Sequence, residues 1–163
     1  MSDIRLVTST NAIDRLFEEA VRIVYERVKY NLDYLGMSCV RRIRDRSGDE
    51  SWYDQTGNLR SSIGYAIFSF GQKQIESAFG TVGDGTEGSD KGRKMIAELA
   101  TLYSDTYALV VVAAMEYAEY VEAIESKDVL ASTEIYAKKE VGRYLKKALR
   151  EAEQEIQALE MTL

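Results

Sequence analysis

The stretch DQTGNLRSSIGYAIF (Asp54–Phe68) decides how the chain is read, because it holds a turn, a helix cap and a strand in immediate succession. Thr56 can accept hydrogen bonds from amides two or three residues on, and Gly57 relaxes the turn, so GNLRSSI makes one helical turn or a sharp entry. Ile63, Tyr65 and Ile67 then alternate with small residues before Phe68 and Phe70, which is the period of a strand. SFGQKQ is a short hairpin connection, and QIESAFGTV reads as a second, antiparallel strand with Ile75, Ser77 and Phe79 on one face. Leu59 and Ile63 are expected in the core and Arg60 at the surface.

Outward from this joint the period changes. From Ala12 to about Arg46 apolar residues recur three or four apart, including Ile13, Phe17, Val24, Val28, Leu32, Leu35 and Cys39, so one face of a long helix is apolar throughout. Thr10 or Asn11 can cap it, Gly36 is the natural place for a bend or break, and Gly48 in RSGDE takes the left-handed closing role. Downstream, SDKGRKMIAELATLYSD predicts a short surface helix capped by Ser89 or Asp90. YALVVVAAM (Tyr107–Met115) is β-branched and almost continuous, hence a central strand covered on both sides. EYAEYVEAIE gives a short helix, and Thr133 to about Leu159 a long one, capped by Ser132 or Thr133. The fold class is α+β: a small, mostly antiparallel sheet covered by two long helices, N-terminal and C-terminal, in a single domain spanning residues 1–163, with a helical tail at about 133–160.

Composition narrows function. The 163 residues carry a net charge of −6 and no histidine. An acidic chain lacks the clustered cations that counterion release from nucleic acid needs, and RRIRDR (Arg41–Arg46) fits the cation-favouring end of a helix better than a phosphate site. Without histidine, any general acid or base would be a Glu or Lys displaced by about 2 to 3 pH units. The single cysteine, Cys39, lies on an apolar helix face, where thiols are inert, and Ser61 and Ser62 have no histidine to activate them. Glu116, Glu119, Glu122 and Glu125 drift around a helix rather than converge on a cation. No catalytic residue, metal site or cofactor is assigned. The N-terminus has no export signal and no apolar stretch approaches a membrane span, so the expectation is a cytosolic chain that binds no membrane.

GDGTEGSDKGRK (Gly83–Lys94) satisfies the spacing G-x-G-x-x-G, but a hairpin strand precedes it, and Asp84, Glu87 and Asp90 would face a pyrophosphate. The expectation here is a flexible surface loop over about 83–94. Eleven tyrosines against one tryptophan point either to an interface, which favours an apolar body with a polar tip, or to the rim of a small core.

The order of motifs carries a resemblance. Thr56, Gly57, Asn58, Leu59, Arg60, Ser62 and Ile63, followed by a strand, a glycine-rich stretch and a strand running into Ala113, Tyr117, Ala118, Tyr120, Val121 and Glu122, resemble the tail-completion or head-tail joining proteins of long-tailed phages, a family also described as minor capsid or tail-component proteins. Ala123 and Ile124 stand where that family has a glycine. The resemblance implies a structural neck protein, made in the bacterial host cytoplasm and then part of the virion. Its partners would be a connector, tail-tube or terminator protein. It would form a homo-oligomeric ring on assembly from a subunit monomeric in isolation, with Thr56, Gly57, Asn58, Leu59, Arg60, Ile63, Tyr117, Tyr120 and Glu122 as motif or interface candidates. A small cytosolic ligand-binding domain or enzyme that uses the Gly83–Lys94 loop as a lid is the alternative.

Overall fold

A computed structural model describes residues 10–46, 52–123 and 127–160. The long N-terminal helix α1 (Thr10–Arg44) is followed by the one-turn helix α2 (Asn58–Ser61), strands β1 (Ile63–Ser69) and β2 (Gln72–Glu76), and helix α3 (Thr86–Leu99) with a 3-10 turn at Ala100–Tyr103. Strand β3 (Tyr107–Ala113), short helix α4 (Ala118–Ala123) and long helix α5 (Ala131–Glu160) complete the chain. The α+β class holds, with a three-stranded sheet that is antiparallel throughout. The expected cap at Gly48 and the residue Glu125 lie outside the described residues.

The sheet order is β2-β1-β3, so β1 is central and β3 lies at an edge, which corrects the expectation for YALVVVAAM. Its near-continuous apolarity has another cause. Val110 and Val112 face α3 in a layer with Phe68, Phe79 and Ile96, whereas Leu109 and Val111 face α1 and α5 in a layer with Leu32, Leu35, Cys39 and Ile67. Both faces are covered although one edge is open. Ser77 N donates to Tyr65 O (2.9 Å), so Tyr65 spends its backbone groups on the β2 side. In an antiparallel ladder the alternate residues Gly64, Ala66 and Phe68 then bond β3, and the backbone groups of Leu109 and Val111 point away from the sheet.

The hairpin turn is Phe70-Gly71, both with positive φ (47° and 79°), the geometry that two-residue connections favour. Strand β2 stops at Glu76, earlier than its sequence suggests, and a bulge shifts register between Ile67 and Phe68. Phe79, beyond the end of the strand, lies in the α3 layer, whereas Ile75 is on the α1 side.

Gly36 does not break α1. Its missing side chain lets the Tyr65 ring lie against the helix, and the Tyr65 hydroxyl donates to Asp33 Oδ1 (2.5 Å). Helix α5 runs antiparallel to α1, bolted by Arg27 Nε to Glu155 Oε2 (2.8 Å) and Asn31 Nδ2 to Glu151 Oε2 (2.9 Å). Tyr25 meets Tyr107 at the hairpin end of the sheet, with ring centroids 6.3 Å apart, so α1 before Val24 runs on past the sheet. Continuing the α1–α5 register places Glu160 opposite about Arg22, and Thr10–Val21 run beyond the described part of α5 and beyond the sheet.

Helix α5 is capped differently from expectation. Glu122 Oε1 accepts from Leu130 N (3.0 Å) and Ala131 N (2.7 Å), and Asp128 Oδ1 accepts from Ser132 N (3.1 Å). The Ser132 and Thr133 hydroxyls instead accept from the Arg46 guanidinium (2.7 and 3.1 Å).

Cys39 is fully buried, and burial pushes its thiol from the ordinary 9.0 up to about 11. Burial, with the Glu26 charge next, likewise pushes the Tyr107 phenol up to about 12. A folded-state pKa above the unfolded one means that the stability resting on the neutral group is full below the unfolded pKa and is lost as pH rises through the folded one. Denaturant titrations should show stability falling from about pH 9 upward, and Cys39→Ala should flatten that fall between about 9 and 11. An unchanged slope in the variant would mean that the thiol is not held neutral by the core.

Candidate functional site: the joint between the two motifs

The turn at Thr56–Ser61 is held from several directions. Gly57 takes the left-handed conformation (φ 77°), Thr56 Oγ1 accepts from Asn58 N (3.3 Å), and Asp54 Oδ2 accepts from Arg60 N (2.8 Å). These bonds satisfy amides that a four-residue helix cannot satisfy internally. Leu59 and Ile63 drop into the core at 0% exposure.

Three side chains then carry the turn to its neighbours. Asn58 Oδ1 accepts from Gly88 N (3.0 Å) at the start of α3, and Ser61 Oγ accepts from Val82 N (2.8 Å). Ser62 Oγ donates to Leu59 O (2.8 Å) and accepts from Ala114 N (3.1 Å) just beyond β3. The glycine-rich stretch, expected as a loop over 83–94, is helical from Thr86 onward. The glycines are its contact surface: a Cβ on Gly85 would overlap Ser61 Oγ and the Gly57 carbonyl, and one on Gly88 the Asn58 carbonyl. Helix and turn touch backbone to backbone. Gly92, a turn further on, admits the Phe79 ring. Ser89, expected as a cap, is buried beside Thr81 (Oγ–Oγ1 3.3 Å), and the helix starts before it.

Arg60 is not at the surface in the expected sense. Its guanidinium lies 4.7 Å from the Trp52 ring centroid and donates to the carbonyls of Arg44 and, at 3.2 Å, Arg46. It thus closes the end of α1, where the helix leaves carbonyls without partners and favours a cation.

The second motif packs on the first. Met115, Ala118 and Val121 share one buried cluster with Leu59, Ile63, Ile43, Trp52 and Val129. Tyr117 is part-exposed. Its phenol is pushed above its ordinary value by burial first and by the Asp54 carboxylate, against a hydrogen bond with Thr56. Tyr120 stands 54% exposed, whereas Glu122 turns inward to cap α5. Asp128, beside that cap, is held below its ordinary value although burial acts the other way, because bonds from Ser132 and the Arg46 guanidinium outweigh it. Lys91 bridges Glu116 (2.9 Å) and Glu87 (3.0 Å), an exposed pairing that contributes little.

No family model, curated protein or solved structure matches the chain.

The joint brings together Leu59 and Ile63 as core, Gly57, Asn58 and Arg60 as positioning groups, and Thr56 and Tyr117 nearer the surface, whereas Glu122 bonds the start of α5 and Tyr120 stands exposed. Unforeseen were Asp54 as a cap, Arg46 as the anchor of the α5 entry, and the packing face of Gly85, Gly88 and Gly92. That face had a signal, since the spacing three then four is helical. Among the described residues no cluster of three His, Cys, Asp or Glu could hold a metal ion.

Leu59→Ala should cost about 2 to 5 kcal/mol in chemical denaturation. A matched glycine pair checks the backbone contact: Gly88→Ala should destabilise the chain, whereas Gly142→Ala in α5, with nothing within 4 Å of the added carbon, should stabilise it by about 0.5 to 1 kcal/mol. Equal effects of the two would contradict the close contact.

Proposed function

We propose that this chain is a structural protein of the neck of a long-tailed phage or prophage, joining or completing the tail at the head-tail junction through protein-protein contacts. The observation that carries the reading is that the two segments resembling that family, which lie far apart in sequence, pack on each other through Leu59, Ile63, Met115, Ala118 and Val121. An ordered motif pair that is also one physical unit fits a shared fold better than chance likeness does.

Surface chemistry supports it. Tyr25, Tyr30, Tyr34, Tyr117 and Tyr120 are all exposed, and tyrosine is the residue type that protein interfaces favour. The groups whose pKa is displaced furthest, Cys39, Tyr65 and Tyr107, are pushed towards their neutral forms by burial, the opposite of activating a nucleophile. The rival reading, a nucleotide or ligand lid at Gly83–Lys94, has little room: the Gly88 amide is taken by Asn58, and the Gly85 and Gly88 faces are filled by the turn. No helix of the described residues is long and apolar enough to cross a membrane, and the proposed setting is the host cytoplasm during assembly and the virion afterwards.

Mixing the purified chain with connector and tail-tube subunits from the same genome should give ring-shaped particles in negative-stain images. Turnover of a small molecule, or a cofactor retained through purification, would remove the reading.

A further inference from the structure

Two apolar surfaces are left unfilled by the described residues of this chain. The first is the α1 overhang. Ile13, Phe17 and Val21 continue the stripe that, from Val24 onward, lies against α5 and the sheet, yet they are 45%, 70% and 39% exposed. The second is a groove of about 510 Å³ floored by Val28 and Leu32 of α1 and walled by Tyr107 and Leu109 at the open sheet edge and Val141 and Leu145 of α5, with Lys138 also lining it.

The overhang cannot reach its own groove. Helix α1 is continuous over 35 residues, and Phe17 stands about 16 Å up the same rod from Val28, at roughly 1.5 Å per residue. Only a second molecule can bring the two surfaces together.

Charge selects that molecule and its orientation. Thr10–Glu26 holds four acidic and two basic residues, and Arg150–Glu160 four acidic and one basic, so this end of the helical pair carries −5 of the chain's −6. Of the basic residues on the α5 segment beside the groove, Lys138 lines it, next to Glu134 (2.5 Å), whereas Arg143 and Lys147 line a different cavity with Arg27 and Tyr34. Overhang against overhang about a two-fold axis would set −5 against −5 and bring Asp14 and Glu18, one residue along from Ile13 and Phe17, against their own copies. Head to tail, the acidic end meets an apolar groove whose charged lining residue among the described residues is Lys138, so no carboxylate of the lining opposes it.

We propose that the α1 overhang of one copy lies in the groove between β3 and α5 of the next, with Phe17 as its central anchor. This is a helix seated in a groove, and a heterologous contact that repeats from copy to copy. It rests on the assembly reading only in taking a copy of this chain as the partner.

Sedimentation velocity on the full chain at low salt tests it. Against the expectation of a subunit monomeric in isolation, the wild type should associate with rising concentration and dissociate as salt is added. Phe17→Glu on the overhang and Ala137→Glu, at an α5 residue that also lines the groove, should each be monomeric. An equimolar mixture of the two should form a one-to-one dimer and nothing larger, because each variant keeps one intact half of the contact. Lys138→Glu, at an exposed position, should weaken association even if Ala137→Glu perturbs the fold, which a circular-dichroism melt detects. A wild type monomeric at every attainable concentration, a Phe17→Glu chain that associates as the wild type does, or a mixture that stays monomeric would each overturn the contact. None of those results touches the neck reading, which stands or falls with the connector and tail-tube mixing.

Discussion

The structure depends on the backbone-to-backbone approach of the turn at Gly57–Ser61 to the first two turns of α3. Such closeness is possible only because Gly85 and Gly88 present no Cβ to the Gly57 and Asn58 carbonyls, while a Cβ on Gly57 itself would overlap the Val82 carbonyl just before the helix. Once there, Asn58 and Ser61 close it with hydrogen bonds to Gly88 N and Val82 N, so amides that would be costly to bury unpaired are satisfied. Those contacts set the direction in which Ile63 enters β1, and β1, as the central strand, sets both neighbours.

From that joint, order passes outward through polar side chains rather than through more core. Ser62 ties the turn to the end of β3, Arg60 ties it to the last carbonyls of α1, and Glu122 ties α4 to the start of α5. The long helices are thereby aimed from one end. Their other end is free of the sheet, which is why an apolar stripe that is buried at Leu32 and Leu35 emerges exposed at Phe17.

Much of the fold was legible in the sequence because it is written in periods. The long apolar stripes of α1 and α5, the alternation at Ile63–Ile67 and the capped turn at Thr56–Gly57 are local signals, and the structure has each where it was expected. Long-range facts were not legible. An unbroken apolar run in β3 signals cover on both faces but does not tell a central strand from an edge strand whose layers happen to be complete. The glycines of Gly83–Lys94 read as loop residues because glycine disfavours helix, and only the closeness of Ser61, Asn58 and the Phe79 ring explains why Gly85, Gly88 and Gly92 sit in or at the start of one. Arg60 was misplaced for a similar reason: its partners, the carbonyls at the end of α1 and the Trp52 ring, are distant in the fold's local grammar. Of the motif residues, the core members were predictable by type, whereas the inward turn of Glu122 towards α5 was not.

Native-state hydrogen exchange tests the central place of the joint most directly. If the turn and α3 are clamped as one unit with the sheet, the amides of Val82, Gly88 and Ala114 exchange only through global unfolding, with the same free energy as the core amides of β1. Exchange of those three by local opening, well ahead of β1, would show that the sheet stands without the joint and would contradict this account.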